Sequence, residues 1–161
     1  MLLSTASASF TRPNNVTAYA SGQLVANSTT AGSVTPLSFG VSNTGQGQTI
    51  IVRYRLYKTS TTTANTSFRL HLYELSPVCA NGDGGNWSTD KASSYLGNID
   101  ISAMLPFTDG CAGFGSAPAG SEMRLRLSSG TTIFGLLEAR AAYVPTANEV
   151  FTCKIECLDG Y

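Results

Sequence analysis

Charged residues are scarce in this sequence. Only 12% of its 161 residues are Asp, Glu, Lys or Arg, and ten basic residues balance ten acidic ones. A protein that binds nucleic acid needs a basic face to displace counterions from phosphates, so this balance argues against one. An apolar share of 42% without net charge also argues against a disordered chain. The polar surface must come from 19 Ser and 19 Thr, and such a neutral surface suits close packing against other proteins.

Long apolar runs are also missing. No stretch approaches the roughly 20 consecutive apolar residues of a membrane-spanning helix. The N-terminal segment MLLSTASASF has no basic residue and only a short leucine pair, which is unlike a secretory signal peptide. We therefore expect a protein that is made and kept in a cytoplasm unless it leaves by cell lysis, and that has no membrane partner.

Side chains that hold metals or perform catalysis are few. The four cysteines, Cys79, Cys111, Cys153 and Cys157, contain no Cys-x-x-Cys pair, and there is a single histidine. A zinc site needs about four such ligands, so we expect no metal. His71 has no carboxylate and nucleophile close by in sequence, which favours a surface or interface histidine over a catalytic one. We expect no catalytic residue, no cofactor and no enzymatic activity.

The cysteines fall into two pairs. Cys153 and Cys157 share one face of a predicted strand but are about 13 Å apart along it, too far for a disulfide. They are predicted to be small core residues. Cys79 and Cys111 bracket an irregular stretch that a disulfide would staple; a cytoplasmic origin favours free thiols, and the sequence leaves this open.

Alternation of apolar and polar residues is the dominant pattern. Successive side chains in a strand point to opposite faces, so alternation is typical of strands with one buried face. The strongest runs are residues 50–58 and 68–73 and the C-terminal segments TTIFGLLEARAAYV and VFTCKIECLD. About eight such runs with turn signals between them, and no long helical pattern, predict an all-β fold. The expected architecture is an antiparallel β-sandwich of the jelly-roll type.

Two hairpins are predicted from these runs. The C-terminal segments are joined by a short turn, and hairpins with about five connecting residues are common. We expect this hairpin at the centre of a sheet, with its cysteines inward and Phe134, Leu136 and Arg140 outward, covered by a loop, the N-terminal segment or a neighbouring subunit. The two upstream runs are joined by a polar loop and are predicted to pair in the same way. Further turn signals lie at 43–47 and 128–130.

The length predicts a single domain. Residues 1–20 are predicted to be an extended N-terminal arm, and residues 21–161 to form the jelly-roll sandwich. Glycine-rich residues 76–120 are predicted to be a long loop, with at most a short strand or helical turn within 95–105. Irregular stretches of this length are uncommon inside a domain and tend to carry function.

Outward-facing charges of both signs are expected to form a ladder on one sheet face. The plain interpretation is cross-strand pairing on a solvated face, worth under about 1 kcal/mol a pair. The functional interpretation is a face that docks a partner, where arginine is enriched. The residues concerned are Arg53, Arg55, Arg69, Arg124, Arg126, Arg140, Glu122, Glu138, Glu156 and Lys154.

Five segments spread over the chain carry a family resemblance. They are SFTRP, TAYASGQLVANSTTAG, PLSF, SFRLHLYELSP and GLLEARAAYVPTANEVFTCKIECLD. Together, from Ser9 to Asp159, they resemble small virion proteins of tailed bacteriophages. Members with assigned roles are capsid cement or decoration proteins of the jelly-roll type. The resemblance implies a non-enzymatic protein on the capsid exterior, made in the host bacterial cytoplasm. Its implied partners are the major capsid protein and its own copies, as a dimer or a trimer.

Interface residues are predicted with this role in mind. Extended peptides add to exposed sheet edges, so the N-terminal arm is a candidate clamp, and aromatic and arginine side chains concentrate in interfaces. The alternative function is a tail or fibre module that binds host-surface carbohydrate by stacking sugars on Trp87 and Tyr95 beside the asparagines of the predicted long loop. The predicted interface residues are Phe10, Arg12, Tyr19, Trp87, Phe114, Phe134, Leu136 and Arg140.

Overall fold

A computed structural model describes residues 2–41, 49–116, 122–127 and 131–159. Both predicted turns, at 43–47 and 128–130, lie outside this part of the chain. Within it, eleven strands form two antiparallel sheets, so the predicted all-β sandwich is confirmed. In the same residues, no helix has the length and apolar character needed to cross a membrane.

The six-stranded sheet has the order β1-β11-β4-β8-β7, with β9 also pairing with β4. The five-stranded sheet has the order β2-β10-β5-β6, with β3 also pairing with β10. Two single-turn 3-10 helices, Ala31–Ser33 and Ala92–Ser94, lie in connections. The strands are β1 Leu2–Thr11, β2 Gln23–Val25, β3 Leu37–Gly40, β4 Thr49–Lys58, β5 Phe68–Tyr73, β6 Tyr95–Ile101, β7 Leu105–Phe107, β8 Gly110–Gly115, β9 Met123–Leu125, β10 Thr132–Ala139 and β11 Val150–Asp159.

The first half of the chain pairs with the second half in reverse order. β1 pairs with β11, β2 and β3 with β10, β4 with β8 and β9, and β5 with β6, always antiparallel. The two halves therefore form one long two-stranded ribbon whose successive parts alternate between the two sheets. This is the arrangement of a jelly roll, as predicted.

Both predicted hairpins are wrong. β10 and β11 lie in different sheets, and so do β4 and β5. Their connections cross from one sheet to the other. The alternation did not reveal this, because a strand that buries one face shows the same alternation in a hairpin and in a crossing between sheets. The expected central position is nonetheless correct, since β11 lies between β1 and β4 and β10 lies between β2 and β5.

The N-terminal segment is extended, but it is not a free arm. β1 pairs with β11 from Leu2 opposite Asp159 to Thr11 opposite Val150. Its small side chains alternate, and Ala6 and Ala8 pack against the core. The strand therefore completes the edge of the six-stranded sheet, so residues 2–11 of the predicted arm (residues 1–20) belong to the sandwich.

Much of the predicted long loop is strand. Residues 76–120 contain β6, β7 and β8, so the loop prediction is wrong there, while the short strand expected within 95–105 is confirmed as β6. Residues 117–120 lie outside the described residues. The glycines that suggested a loop mark close packing instead. A Cβ on Gly115 would lie 2.3 Å from the carbonyl oxygen of Asp100, and one on Gly113 2.7 Å from Ile101.

The main core fills the space between the sheets. Its centre is aromatic, with Phe68 edge-on to both Tyr143 and Phe151 at 5.3 and 5.5 Å between ring centroids. Cys111, Cys153 and Cys157 are buried in this core, and all four cysteines are free thiols, so the core prediction for Cys153 and Cys157 is confirmed. Burial raises the pKa of both Cys153 and Cys157 to about 12.

A second, smaller cluster covers the outside of the five-stranded sheet. Its buried members are Leu24, Ala26, Tyr73, Cys79 and Leu136, and Trp87 and Phe134 are among the side chains that pack against them. The segment between β5 and β6 therefore covers the outward face of β10. Of the three expected ways to cover Phe134 and Leu136, the structure uses a loop of the same chain.

Candidate functional site

Three large apolar side chains stand exposed at one edge of the six-stranded sheet. Leu105, Phe107 and Phe114 are 62%, 54% and 54% exposed. The register of β7 and β8 places Leu105 opposite Ala112 and Phe107 opposite Gly110. Because directly opposite residues share a face and β-strands alternate, all three side chains lie on the outer face of this sheet. We call Leu105, Phe107 and Phe114 the apolar edge.

A group of charges adjoins the apolar edge. Arg53 lies over the Phe114 ring, 5.3 Å from its centroid, and donates from Nε to Oε2 of Glu156 at 2.7 Å. Arg55 Nη2 reaches Oε1 of the same carboxylate at 2.7 Å. These arginines hold the pKa of Glu156 below its usual range. Next to them a groove of about 220 Å³ runs between Phe114 and Lys154.

The predicted single ladder of charges is wrong, because its members belong to two sheets. Arg53, Arg55 and Glu156 lie on the six-stranded sheet, where β4 pairs with β11. Arg69 and Glu138 face each other on the five-stranded sheet, where β5 pairs with β10. The chain therefore has two separate polar clusters on opposite sides of the sandwich.

The second candidate site is a pocket on the outer side of the five-stranded sheet. It has a volume of about 260 Å³ and is mainly aromatic. Tyr73 ends β5 and Tyr95 begins β6, and the two lie opposite each other at a register shift. Their rings meet edge-on at 5.3 Å, and Trp87 comes from the connection between the strands. We call this the aromatic pocket; its walls are Tyr73, Trp87, Ser88, Thr89, Ala92 and Tyr95.

A buried chain of hydrogen bonds lies beneath the aromatic pocket. His71 is 3% exposed, which corrects its prediction as a surface or interface residue. Its Nε2 lies 2.7 Å from Oε2 of Glu138, and its Nδ1 lies 3.0 Å from the hydroxyl of Tyr95. Arg140 donates to the other oxygen of Glu138 at 2.9 Å. The Trp87 indole stacks on the His71 ring at 3.9 Å and seals it from solvent.

Burial and the two hydrogen bonds of His71 determine how many protons its ring carries and on which nitrogen. Burial lowers the pKa of His71, so the ring is neutral at pH 7. The Glu138 carboxylate accepts a hydrogen bond, which places the ring proton on Nε2. Nδ1 then accepts from the Tyr95 hydroxyl, and Asn98 donates to the Tyr95 oxygen at 3.0 Å. The Tyr95 ring is thereby held in one position.

The segment that carries Trp87 is anchored by Asp83. One oxygen of Asp83 accepts from Arg12 Nη2 at 2.9 Å, and the other accepts from the Tyr19 hydroxyl at 2.5 Å and the Ala26 amide at 2.9 Å. Arg12 Nε also donates to the Tyr19 oxygen. Arg12 and Tyr19 were predicted to face a partner, but both side chains are buried and bind within the chain.

The other predicted interface residues are divided between surface and interior. Leu136 is buried in the second cluster, which removes it as a contact residue. Phe10 is half-buried and stacks on Phe151 at 5.6 Å. The surface retains Phe114 and Arg140, with Trp87 in the wall of the aromatic pocket and Phe134 half-buried beside the second cluster.

Sequence reasoning missed Leu105 and Phe107, although a signal for them exists. Asp109-Gly110 is a common hairpin turn, and it follows the alternating triplet Leu-Pro-Phe. The partners of His71 left no such signal, because Glu138 lies 67 residues away in the chain. In the described residues, no group of three or more His, Cys, Asp and Glu side chains is placed to hold a metal ion.

No model of a known protein family matches the chain, and no curated protein matches it. Among solved structures, it is similar to the virus-like particle of extra small virus from the giant freshwater prawn Macrobrachium rosenbergii. The identity is 11%, the match covers 97% of this chain and 78% of that one, and the TM-score is 0.27. This similarity to a viral capsid protein is too weak to support a functional argument, and nothing in the comparisons is specific to tailed bacteriophages.

Proposed function

We propose that the chain is a structural protein of a virion, which packs against neighbouring subunits through the apolar edge. The observation that carries this proposal is the cluster of Leu105, Phe107 and Phe114, three large apolar side chains exposed on one face. Single exposed apolar residues are common on protein surfaces, but clusters rimmed by polar groups mark interaction sites. Arg53, stacked on Phe114, supplies such a rim.

Within the virion, the proposed role is that of a cement or decoration protein on the outside of a tailed-phage capsid. Its partners are the major capsid protein and further copies of itself, and it requires no catalysis, cofactor or metal. The segments that resemble phage virion proteins support this role, and jelly rolls are frequent among capsid proteins. The same fold also serves lectins, so the fold alone does not decide the function.

Contact through side chains is favoured over pairing of strand backbones. β7 forms the outer end of the six-stranded sheet, but it is only three residues long and its middle residue is Pro106. Proline has no N–H to donate, and short edge strands discourage the addition of another strand. Leu105 and Phe107 on either side of Pro106 then provide the contact area.

Binding of this kind stabilises a shell by mass action. A subunit that binds only the assembled shell lowers the free energy of that state and leaves the dissociated parts unchanged. Many weak contacts repeated over a closed shell therefore raise its resistance to heat and internal pressure. The neutral composition of the chain favours such dense packing, because like-charged neighbours would repel each other.

The experiment is co-sedimentation of the purified protein with capsid shells that lack it. We expect saturable, stoichiometric binding and a higher disruption temperature for the shells. In the double variant Phe107→Ser/Phe114→Ser, affinity should fall about 30-fold or more, since truncating one central interface aromatic typically costs about 2 kcal/mol. Val144→Ser is the matched control, because Val144 is equally exposed but lies between β10 and β11.

Two results would contradict the proposal. One is the absence of binding and of any gain in shell stability with the unmodified protein. The other is binding by the double variant that equals that of Val144→Ser, which would remove the apolar edge as the contact. Light scattering on the free protein would also decide between a dimer and a trimer.

A further inference from the structure

The aromatic pocket lies on the opposite side of the sandwich from the apolar edge. The pocket belongs to the five-stranded sheet and the edge to the six-stranded sheet. A subunit docked through the edge therefore keeps the pocket accessible. We propose that the aromatic pocket binds one neutral pyranose ring, such as the terminal sugar of a cell-surface glycan. This inference goes beyond the proposed function and does not depend on it.

The size of the pocket restricts the ligand to a single ring. Its volume of about 260 Å³ is below the range of about 300–1,000 Å³ typical of sites for drug-sized molecules and cofactors. A single sugar ring fits such a space, whereas a dinucleotide or a folded peptide does not. An extended glycan would place its end sugar in the pocket and leave the remainder in solvent.

The walls combine aromatic rings with hydroxyl groups and contain no charged residue. Trp87 and Tyr95 offer flat apolar surfaces, on which the C–H face of a pyranose packs. Ser88 and Thr89 bring hydroxyls, which both donate and accept, as sugar hydroxyls do. Asp90 and Lys91, which follow Thr89 in the chain, pair with each other at 2.7 Å. A phosphate or another anion finds no cation in these walls.

The polar groups of the walls favour a sugar over a quaternary ammonium ion. A quaternary ammonium ion is held by aromatic faces and makes no hydrogen bonds. The rings here are inclined to one another, by 62° between Tyr73 and Tyr95 at 5.3 Å and by 55° between Trp87 and Tyr95 at 6.5 Å, and together they form an angled aromatic platform. A sugar ring stacked on one face of this platform has the Ser88 and Thr89 hydroxyls as hydrogen-bond partners, whereas a quaternary ammonium ion forms no hydrogen bond with them.

The platform is also held rigid before any ligand arrives. Tyr95 is fixed by His71 and Asn98, and Trp87 is fixed on one face by its stack on His71. The backbone of Trp87 is held as well, because its N–H donates to the Gly22 carbonyl at 2.9 Å. Rigid walls lose little conformational entropy on binding, which raises affinity for a small ligand. The buried histidine is therefore a positioning residue for the platform.

The test uses the fluorescence of Trp87, which is the only tryptophan in the chain. The probes are the methyl glycosides of glucose, galactose, mannose and N-acetylglucosamine, with tetramethylammonium as the competing chemistry. Ala92→Leu fills the pocket from an exposed position, and Tyr95→Ala removes part of the platform. Phe114→Ser, on the opposite sheet, is the control, and circular dichroism checks that each variant is folded.

We expect a saturable change in emission with at least one glycoside. Both pocket variants should weaken the binding at least about tenfold, and Phe114→Ser should leave it unchanged. Either of two results overturns the proposal: no saturable change up to about 0.1 M of any glycoside, or tetramethylammonium binding more tightly than every glycoside. Glycoside binding that Ala92→Leu leaves intact would overturn it too, since the sugar would then lie elsewhere. None of these outcomes bears on the binding of shells by the apolar edge.

Discussion

Replacing Asp83 by alanine tests how the chain holds the segment that carries Trp87. The side chains of Asp83 and Arg12 are 3% and 0% exposed, and their charged atoms lie 2.9 Å apart. Without the carboxylate, the Arg12 guanidinium is buried without its counter-charge, and the Tyr19 hydroxyl and the Ala26 amide lose an acceptor. Breaking a buried ion pair costs about 3–5 kcal/mol. We expect Asp83→Ala to lower the free energy of unfolding by at least about 3 kcal/mol.

The assay is urea unfolding at neutral pH, followed by Trp87 emission and by circular dichroism. An unchanged dependence on urea concentration would show that the folded and unfolded states keep their compactness. Asp100→Ala is the control, because Asp100 accepts two hydrogen bonds from Arg69 in a pair whose side chains are 26% and 52% exposed, in contrast to the buried pair. An exposed pair of this kind contributes about 0.2–1 kcal/mol.

A double variant separates the ion pair from its surroundings. Arg12→Met/Asp83→Ala removes both charges, so it should be more stable than the sum of the single losses implies, by about 1–3 kcal/mol. The reasoning is refuted if Asp83→Ala loses no more stability than Asp100→Ala. It is also refuted if the losses of the two single variants simply add, since the buried charges would then not depend on each other.

Three further outcomes follow from the structure. Burial lowers the pKa of His71, so this histidine binds a proton more readily in the unfolded chain than in the folded one. The free energy of unfolding should therefore fall as the pH drops below about 6.5. In His71→Gln, the urea midpoint should change less between about pH 7 and pH 5.5 than in the unmodified protein. With a pKa of about 12, Cys153 and Cys157 are thiolates in only about one molecule in 10⁴ at pH 8, so mass spectrometry should find iodoacetamide adducts on them only after unfolding. A Cβ on Gly82 would lie 2.1 Å from the carbonyl oxygen of Thr29, whereas a Cβ on Gly32 would meet nothing within 4 Å. Thermal melts should therefore show a lower melting temperature for Gly82→Ala and a nearly unchanged one for Gly32→Ala.

Strand content was predictable from the sequence, but strand partners were not. Alternation in 50–58 and 68–73 located β4 and β5 within a residue, because a strand with one buried face imposes a period of two. The same period appears whether the next strand pairs with it or crosses to the other sheet. The hairpin predictions failed for this reason. The reverse pairing of the two halves depends on contacts such as that between Leu2 and Asp159, which no local pattern records.

In the candidate sites too, local features were predictable from the sequence and long-range partners were not. Trp87 and Phe114 were predicted because aromatic side chains concentrate in interfaces and both lie in the predicted long loop, and both reach the surface or a pocket. Arg12 and Tyr19 were assigned to an interface because they lie in the N-terminal segment predicted to be an extended arm that clamps a neighbour. Their burial depends on Asp83, which is 71 residues from Arg12 in the chain. The fold brings the residues of a buried polar network together from distant parts of the chain. The sequence therefore shows which polar residues are present, but not which of them pair.

An electron cryo-microscopy map of capsid shells saturated with the protein tests the proposed function most directly. We expect density for the sandwich at regular positions on the outside of the shell. Leu105, Phe107 and Phe114 should face the shell or a neighbouring copy, and the aromatic pocket should point outward. Shells without such density, or sandwiches seated on the shell through the five-stranded sheet, would contradict the account.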